Sequence, residues 1–226
     1  MSNATQSLAG TRINSLLDAN SFVEIGKSVT ARSTDFNMTE KKAPSDGVIT
    51  GYGVIDGNLV YVYSQDVSVL NGTVGEMHAK KISALYDLAM KTGAPVIGLI
   101  DCAGMRLQEA TDALEAFGGI YLKQTMASGM IPQITAVFGT CGGGMAVVPA
   151  LTDFTFIESK KGKMFVNSPN ALDGNYTEKC DTASAEFQSR ETGLIDAVES
   201  EEEILAEIRQ LIGLLPSNFE DNDSFE

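Results

Sequence analysis

Tryptophan is absent from this 226-residue chain, which contains only one histidine and three cysteines. The cysteines, Cys102, Cys141 and Cys180, are far apart, and with a single histidine they form neither a zinc-ligand spacing nor a disulfide framework. We therefore expect no metal site and a reduced, cytoplasmic setting. Residues 1–6 lack the charged and then apolar pattern of a signal peptide, and no apolar run reaches the ~18 residues of a membrane span.

Basic residues are also scarce. The 16 Lys and Arg face 30 Asp and Glu, which gives a net charge of −14 and a pI near 4.4. This balance argues against a nucleic-acid partner or an anionic membrane surface. Nine of the acids lie from residue 199 onward with a single base, Arg209, so we expect an acidic terminal helix and an acidic tail over residues 219–226. The hydrophobic fraction of 43% suffices for a globular core.

Apolar periodicity predicts an alternation of helices and strands. Two β-rich runs, residues 48–55 and 59–65, flank an Asp56-Gly57 pair that is typical of a hairpin. An apolar stripe at helical spacing over residues 75–92 is followed by a continuous apolar strand over residues 96–101. The other predicted helices cover residues 7–18, 108–128, 183–192 and 201–214, and further strands cover residues 131–138, 153–158 and 164–166. This alternation predicts a layered α/β fold, with a polar loop over residues 35–46.

Two strand-to-helix crossings carry most of the functional signal. One contains Cys102-Ala103-Gly104-Met105, and the other contains Cys141-Gly142-Gly143-Gly144-Met145. Glycine permits a close backbone approach, and the first amides of a helix have no internal partners and lie at its positive end. Two such starts that face one point would provide N–H donors for an oxyanion. The alternative is that the glycines only permit tight packing, but the occurrence of two crossings favours the functional interpretation.

Reactive side chains are few. His78 lies inside a predicted helix, where a buried and hydrogen-bonded histidine is the favoured interpretation and a role near a ligand is the alternative. A Ser-His-Asp hydrolase would depend on this one imidazole, and no paired carboxylates stand out. Lys80 and Arg106 are candidates for binding phosphate groups, although lysines on helices mostly face solvent.

Several segments resemble a known family. They are residues 46–53 (Asp-Gly-Val-Ile-Thr-Gly-Tyr-Gly), 64–66 (Ser-Gln-Asp), 75–78 (Gly-Glu-Met-His), 91–99, 127–134, 149–154 and 215–218 (Leu-Pro-Ser-Asn). In this order they resemble the N-terminal half of the biotin-dependent acyl-CoA carboxyltransferases, from about residue 11 to residue 218. The last segment resembles the linker that joins the two halves of the family's members. The resemblance implies an N-terminal carboxyltransferase domain over residues 1–218.

The resemblance implies a crotonase-like fold, a spiral of ββα turns. It also implies that this half binds an acyl-CoA thioester and that a carboxyl group moves between biotin and the carbon α to the thioester. Backbone amides of the two crossings would hold the enolate, without a metal. The residues assigned to this role are Ala103, Gly104, Met105, Gly143, Gly144 and Met145. Arg106, Lys80 and His78 are the candidates for contacts with the substrate.

The implied partners are a C-terminal carboxyltransferase half on a separate chain and a biotin carrier protein. A biotin carboxylase would complete an acyl-CoA carboxylase, whereas a membrane subunit would complete a decarboxylase. We expect an oligomer, and both reaction directions and the identity of the acyl group stay open.

The chain departs from the family at Met105 and Met145, where alanine is usual. Their side chains either narrow the acyl pocket or belong to the core. Two alternatives to a biotin-dependent carboxyltransferase stay open. One is another crotonase-fold acyl-CoA enzyme, such as a decarboxylase without a biotin carrier or a thioesterase, and the other is an inactive scaffold subunit. Val147 stands where a hydratase of this fold would carry a catalytic glutamate, which argues against hydration.

Overall fold

A computed structural model describes residues 7–32, 43–168 and 181–221. These residues form one eight-stranded mixed sheet flanked by helices. The strands are β1 Val23–Ile25, β2 Val48–Ile55, β3 Asn58–Gln65, β4 Val96–Cys102, β5 Gln133–Gly142, β6 Phe154–Glu158, β7 Lys163–Phe165 and β8 Ala197–Glu199. The helices are α1 Leu8–Leu16, α2 Glu76–Thr92, α3 Ala110–Ala127, α4 Val147–Ala150, α5 Ala185–Phe187 and α6 Glu201–Leu214.

The sheet begins antiparallel and continues parallel. Its strand order is β1-β2-β3-β4-β5-β6-β8, and β7 pairs with the end of β5. The predicted β2–β3 hairpin is confirmed, with Asp56 and Gly57 at φ 49° and 87°. Positive φ at both central residues matches the twist of the strands, which is why an Asp-Gly pair is favoured there. From β3 onward the pairings are parallel, and α2, α3 and α4 connect the strands from β3 to β6.

Two apolar layers enclose the sheet. On one face α2 and α3 pack against the strands, and on the other face α1 and α6 do so. The central strand β4 contributes to both layers, because Val96 and Ile100 point to one cluster and Ile97 and Leu99 to the other. A continuous apolar strand is therefore needed at this position, and the predicted α/β layering is confirmed.

The predicted and observed elements differ in two places, and two further predicted segments lie mostly outside the described residues. Strand β5 extends to Gly142, four residues past the predicted end at residue 138, because β7 pairs with Thr140, Cys141 and Gly142. The predicted helix over residues 183–192 is a short α-helix, α5, followed by a π-helical turn over Gln188–Thr192. Most of the loop predicted over residues 35–46 lies outside the described residues, as do residues 222–226 of the acidic tail.

The acidic residues at the start of α6 stabilise the helix. Ser200 caps the helix in a capping box with Glu203, and three glutamates occupy the first turn, where they face the positive end of the helix dipole. Glu201 also pairs with the buried Arg12 of α1 at 3.1 Å. No helix within the described ranges is long and apolar enough to cross a membrane.

Candidate active site at the ends of two parallel strands

The two crossings meet at one edge of the sheet. Strands β4 and β5 are parallel neighbours, and Cys102 and Cys141 lie opposite each other at their carboxyl ends. We call residues 103–106 the first turn and Gly143–Ala146 the second turn. Gly104 has φ 114°, and a Cβ atom built on it would lie 3.0 Å from the Gly142 carbonyl oxygen and 3.8 Å from the Gly143 nitrogen. The backbones of the two crossings are therefore in contact.

A β-bulge brings the two turns level. The pairing between β4 and β5 jumps from Ile100 opposite Val137 to Cys102 opposite Cys141, so β5 contributes two more residues than β4 between these pairs. The Asp101 carboxylate accepts the Thr140 N–H at 3.3 Å inside this bulge. A Cβ atom on Gly139 would lie 2.2 Å from Asp101 Oδ1, so only glycine fits beside the carboxylate.

The first turn is fixed by backbone bonds to the segment before α2. Val74 donates its N–H to the Gly104 carbonyl, and the Arg106 N–H returns to the Val74 carbonyl, both at 2.9 Å. The Ala103 amide donates to the Asn71 carbonyl at 3.1 Å, and the Gly104 amide donates to the Cys102 sulfur at 3.3 Å. Of the three donors assigned from the sequence, two are already engaged, and only the half-buried Met105 amide has no acceptor among the described residues.

The second turn begins with two amides that no carbonyl of the turn can accept. It is a 3-10 turn with Gly142 as its N-cap, and each N–H in such a turn bonds to the carbonyl three residues earlier. The amides of Gly143 and Gly144 therefore lack an acceptor within the turn, whereas Met145 is the first residue with a carbonyl in reach. Gly143 and Gly144 are half-buried, and no backbone acceptor for their amides is found among the described residues.

The two methionines differ in placement. The Met145 side chain is fully buried, and its sulfur accepts a contact from Gln65 Nε2 at 3.7 Å. Met105 is partly buried and packs against the same apolar cluster. The structure therefore assigns the Met145 side chain to the core beneath the second turn and does not support the hypothesis that it narrows an acyl pocket.

The structure places His78, a candidate for substrate contact, in the core. Its side chain is 0% exposed, with Nδ1 2.9 Å from the Asp46 carbonyl oxygen and Nε2 3.1 Å from Gln65 Nε2. Burial and the nearby Arg106 guanidinium lower the pKa of His78 to about 3, so the imidazole is neutral at physiological pH. The favoured sequence interpretation, a buried and hydrogen-bonded helix histidine, agrees with this placement.

The structure also buries Arg106, a candidate for binding phosphate groups. Its side chain is 1% exposed and pairs with Asp46 at 2.5 Å and Glu109 at 2.8 Å. Because these carboxylates and the Thr73 carbonyl occupy the guanidinium, it supports the first turn from within. Lys80 is 63% exposed and pairs with Glu76 on α2, so of the three candidates it alone reaches the surface.

The cysteines support the turns and are not nucleophiles. Cys102 and Cys141 are buried, and their thiols contact the Gly104 and Met145 carbonyls at 3.5 and 3.4 Å. Burial raises the pKa of Cys102 to about 12 and also raises that of Cys141, so both thiols stay protonated. Cys180 lies outside the described residues, and within those residues no three His, Cys, Asp or Glu side chains are grouped to hold a metal ion.

Sequence reasoning did not identify three contributing residues, Asp46, Gln65 and Tyr121. The Tyr121 hydroxyl donates to the Gly144 carbonyl at 2.5 Å, which ties α3 to the second turn. Asp46 is fully buried at a positive φ of 49°, and Gln65 is a fully buried amide at the end of an apolar strand. Because Gln65 lies in the polar run Ser64-Gln65-Asp66 at the end of β3, no sequence signal marks it as buried.

Comparison with known proteins defines the class. Residues 3–225 match the family described as the Carboxyl transferase domain, and the chain belongs to this family. A solved transcarboxylase 12S structure with hydrolysed methylmalonyl-coenzyme A bound superposes with a TM-score of 0.91 at 33% identity. The superposition covers 99% of this chain and 44% of the transcarboxylase chain. The crotonase-like fold class expected from the sequence is confirmed.

The chain is similar to proteins of two named activities. It is 44% identical to a propionyl-CoA carboxylase beta chain from Roseobacter denitrificans over 92% of its length. It is also 44% identical, over the same share, to a methylmalonyl-CoA decarboxylase subunit alpha from Veillonella parvula. The chain spans only 41% and 42% of these relatives, that is, about two fifths of their length.

Proposed function

We propose that this chain is the acyl-CoA-binding half of a biotin-dependent carboxyltransferase. The observation that carries the proposal is the contact between the two turns at the ends of β4 and β5, with unengaged amides on both sides of it. The named activities of the relatives support a short acyl-CoA, of the propionyl and methylmalonyl class, as the substrate.

In the proposed mechanism the thioester oxygen accepts hydrogen bonds from the backbone N–H groups of Met105 and Gly144. Addition or removal of the carboxyl group at the carbon α to the thioester passes through an enolate, whose negative charge resides largely on this oxygen. Two N–H donors aimed at that charge stabilise it more than they stabilise the neutral thioester. Removal of a single donor of this kind costs about 10²- to 10³-fold in rate.

The described side chains beneath the turns are unsuited to act as the base. His78 is buried and neutral, and burial keeps both cysteines protonated. Biotin, carried by a partner protein, is a co-substrate in this proposal: its ureido nitrogen would exchange the carboxyl group for the proton of the carbon α to the thioester, so that no side chain of this half has to act as the base. No residue of this chain is assigned to it, and the task of this half is to bind and orient the thioester.

The proposed partners follow from the part of the relatives that the chain matches. The chain spans about two fifths of them, so we assign to it one half of the carboxyltransferase and propose that the other half completes the active site. A biotin carrier protein and either a biotin carboxylase or a membrane decarboxylase subunit would complete the cycle. The two relatives support the two directions equally.

The test compares Gly144→Pro with Gly144→Ala in the chain assembled with its co-purifying partners. Both variants bring atoms against Tyr121 and Phe117, since a Cβ atom would lie 3.0 Å from the Tyr121 hydroxyl and 3.3 Å from the Phe117 ring. Only the proline variant also loses the amide. We expect kcat for carboxyl transfer from labelled bicarbonate, or for release of labelled CO2, to fall at least ~10²-fold more in Gly144→Pro than in Gly144→Ala.

A second pair of variants, at Met105, keeps the test valid if a substitution at Gly144 prevents folding. Met105→Pro removes the amide of the first turn, while Met105→Ala retains it. Equal turnover of the proline and alanine variants at both positions, with native circular dichroism spectra, would exclude the amides from the mechanism. Hydrolysis of acyl-CoA without carboxyl transfer would favour a thioesterase, and the absence of acyl-CoA binding by calorimetry would favour a scaffold subunit.

A further inference from the structure

A chain of buried polar contacts joins the two turns from beneath. At the first turn, Arg106 binds the Asp46 carboxylate. Asp46 in turn accepts both the backbone N–H of His78, at 2.7 Å, and its ring Nδ1, at 2.9 Å. His78 Nε2 meets the Gln65 side-chain amide, which reaches the Met145 sulfur at the second turn. We call Asp46, His78 and Gln65 the buried bridge, and all three are 0% exposed.

The hydrogen-bond acceptors around His78 determine which of its ring nitrogens carries the proton. The Asp46 carbonyl oxygen can only accept, so His78 Nδ1 carries the proton. Nε2 of a neutral imidazole is then an acceptor, and it takes one N–H of Gln65 at 3.1 Å. The other N–H of the same amide points to Met145 Sδ at 3.7 Å. His78 therefore fixes which way the Gln65 amide faces.

The reversed amide is excluded by the same contacts. Rotating the Gln65 amide by half a turn would place its oxygen about where the nitrogen now lies, 3.1 Å from His78 Nε2. Both atoms would then be hydrogen-bond acceptors, so the contact would be repulsive. The observed orientation leaves the buried Gln65 oxygen without a partner among the described residues. An unpaired buried oxygen is costly, so the contacts of the nitrogen with His78 and Met145 must outweigh it. Burial raises the pKa of the Cys102 thiol, and a hydrogen bond with Gln65 opposes part of this rise.

We infer that Gln65, oriented by a neutral His78, is a positioning residue that holds Met145 and with it the amides at the start of the second turn. The inference rests on the proposed function only where it concerns turnover. Gln65 touches no reacting atom in this assignment, because its contacts all lie in the core. Its effect passes through the Met145 side chain to the backbone that carries Gly144.

The first measurement is nuclear magnetic resonance on the full chain, without substrate. His78 is the only histidine, so its ring signals need no assignment by mutation. We expect Nδ1 to be protonated and Nε2 to be unprotonated from pH 5 to pH 8. A proton on Nε2, or a charged ring at pH 7, would overturn the inference.

The second measurement compares Gln65→Met with Gln133→Met. Both replace a fully buried amide by an apolar side chain of similar length, but Gln133 lies at the start of β5 and bonds to the Gln124 carbonyl. We expect Gln65→Met to shift the His78 Nε2, Met145 methyl and Gly144 amide signals, while Gln133→Met leaves them in place. Unchanged Met145 and Gly144 signals in a folded Gln65→Met variant would overturn the inference.

The third measurement separates positioning from binding in the assembled enzyme. Displacement of a donor by a fraction of an ångström affects the transition state more than the bound substrate. We expect Gln65→Met to lower kcat about 10- to 100-fold, with KM altered less than about twofold, and Gln133→Met to leave both unchanged. Wild-type kcat in Gln65→Met would overturn the inference. Lack of carboxyl transfer by the wild-type assembly would instead refute the proposed function, and the resonance experiments alone would then decide the role of Gln65.

Discussion

The two turns present similar donors but are held in place by different forces. The first turn is paired to residues 71–74 through the backbone and is anchored by Arg106, whose charge meets two buried carboxylates. The second turn has no ion pair among the described residues and is held by a tyrosine hydroxyl, a cysteine thiol and the Gln65 amide. The comparison teaches that the proposed oxyanion site would combine a charged support on one side with a neutral support on the other.

The charged support gives the largest expected effect. Replacement of Arg106 by Met leaves Asp46 and Glu109 buried without their cation, and we expect the free energy of unfolding to fall by about 3–5 kcal/mol. Chemical denaturation measures this change. The matched control is Arg190→Met at an exposed pair with Glu186, where we expect a loss below about 1 kcal/mol. Equal losses at the two sites would show that the first turn does not depend on its ion pairs.

The pH dependence of the free energy of unfolding gives the next test of the comparison, because the buried bridge contains the only histidine of the chain. The pKa of His78 is about 3 in the folded chain against an ordinary value of 6.5, so below pH 6.5 the unfolded chain binds a proton that the folded chain does not. The stabilisation is complete above pH 6.5 and is lost as the pH falls toward 3, at up to about 1.4 kcal/mol per pH unit. Denaturation of the wild type and of His78→Gln, which does not titrate, isolates this slope. Parallel curves for the two proteins would mean that the pKa of His78 is the same in the folded and the unfolded chain.

The neutral support of the second turn gives the smallest effect. Tyr121→Phe removes the hydroxyl that donates to the Gly144 carbonyl, and we expect a loss of about 0.5–1.5 kcal/mol in the free energy of unfolding. Tyr52→Phe is the control, since the Tyr52 hydroxyl has no hydrogen-bond partner among the described residues. If Tyr121→Phe cost as much as Arg106→Met, the contrast between the two turns would fail.

Elements with a strong periodic or turn signal were predictable. The hairpin at Asp56-Gly57, the helix α2 and the terminal helix α6 agree with the sequence prediction to within one residue at each end, because propensity, capping and packing favour the same bounds. The approach of the two crossings was also predictable, since neighbouring parallel strands end at one edge of a sheet.

The partners of individual side chains were not predictable. The sequence shows His78 and Arg106 as polar groups on helical or turn segments, but their burial depends on Asp46, which is 32 residues before one and 60 before the other. The extension of β5 depends on pairing with β7, a contact that apolar periodicity does not encode. Which amides are free likewise depends on long-range acceptors such as the Asn71 carbonyl.

The bulge between β4 and β5 makes the spacing of the donors a matter of residue count. Two surplus residues in β5 are absorbed between Val137 and Cys141, beside an aspartate that admits only glycine. Each residue added to or removed from this stretch would slide the second turn along the strand by about 3.3 Å relative to the first. Insertions and deletions at residues 138–140 are therefore a route by which the spacing of the two turns would be changed without replacing any residue of either turn.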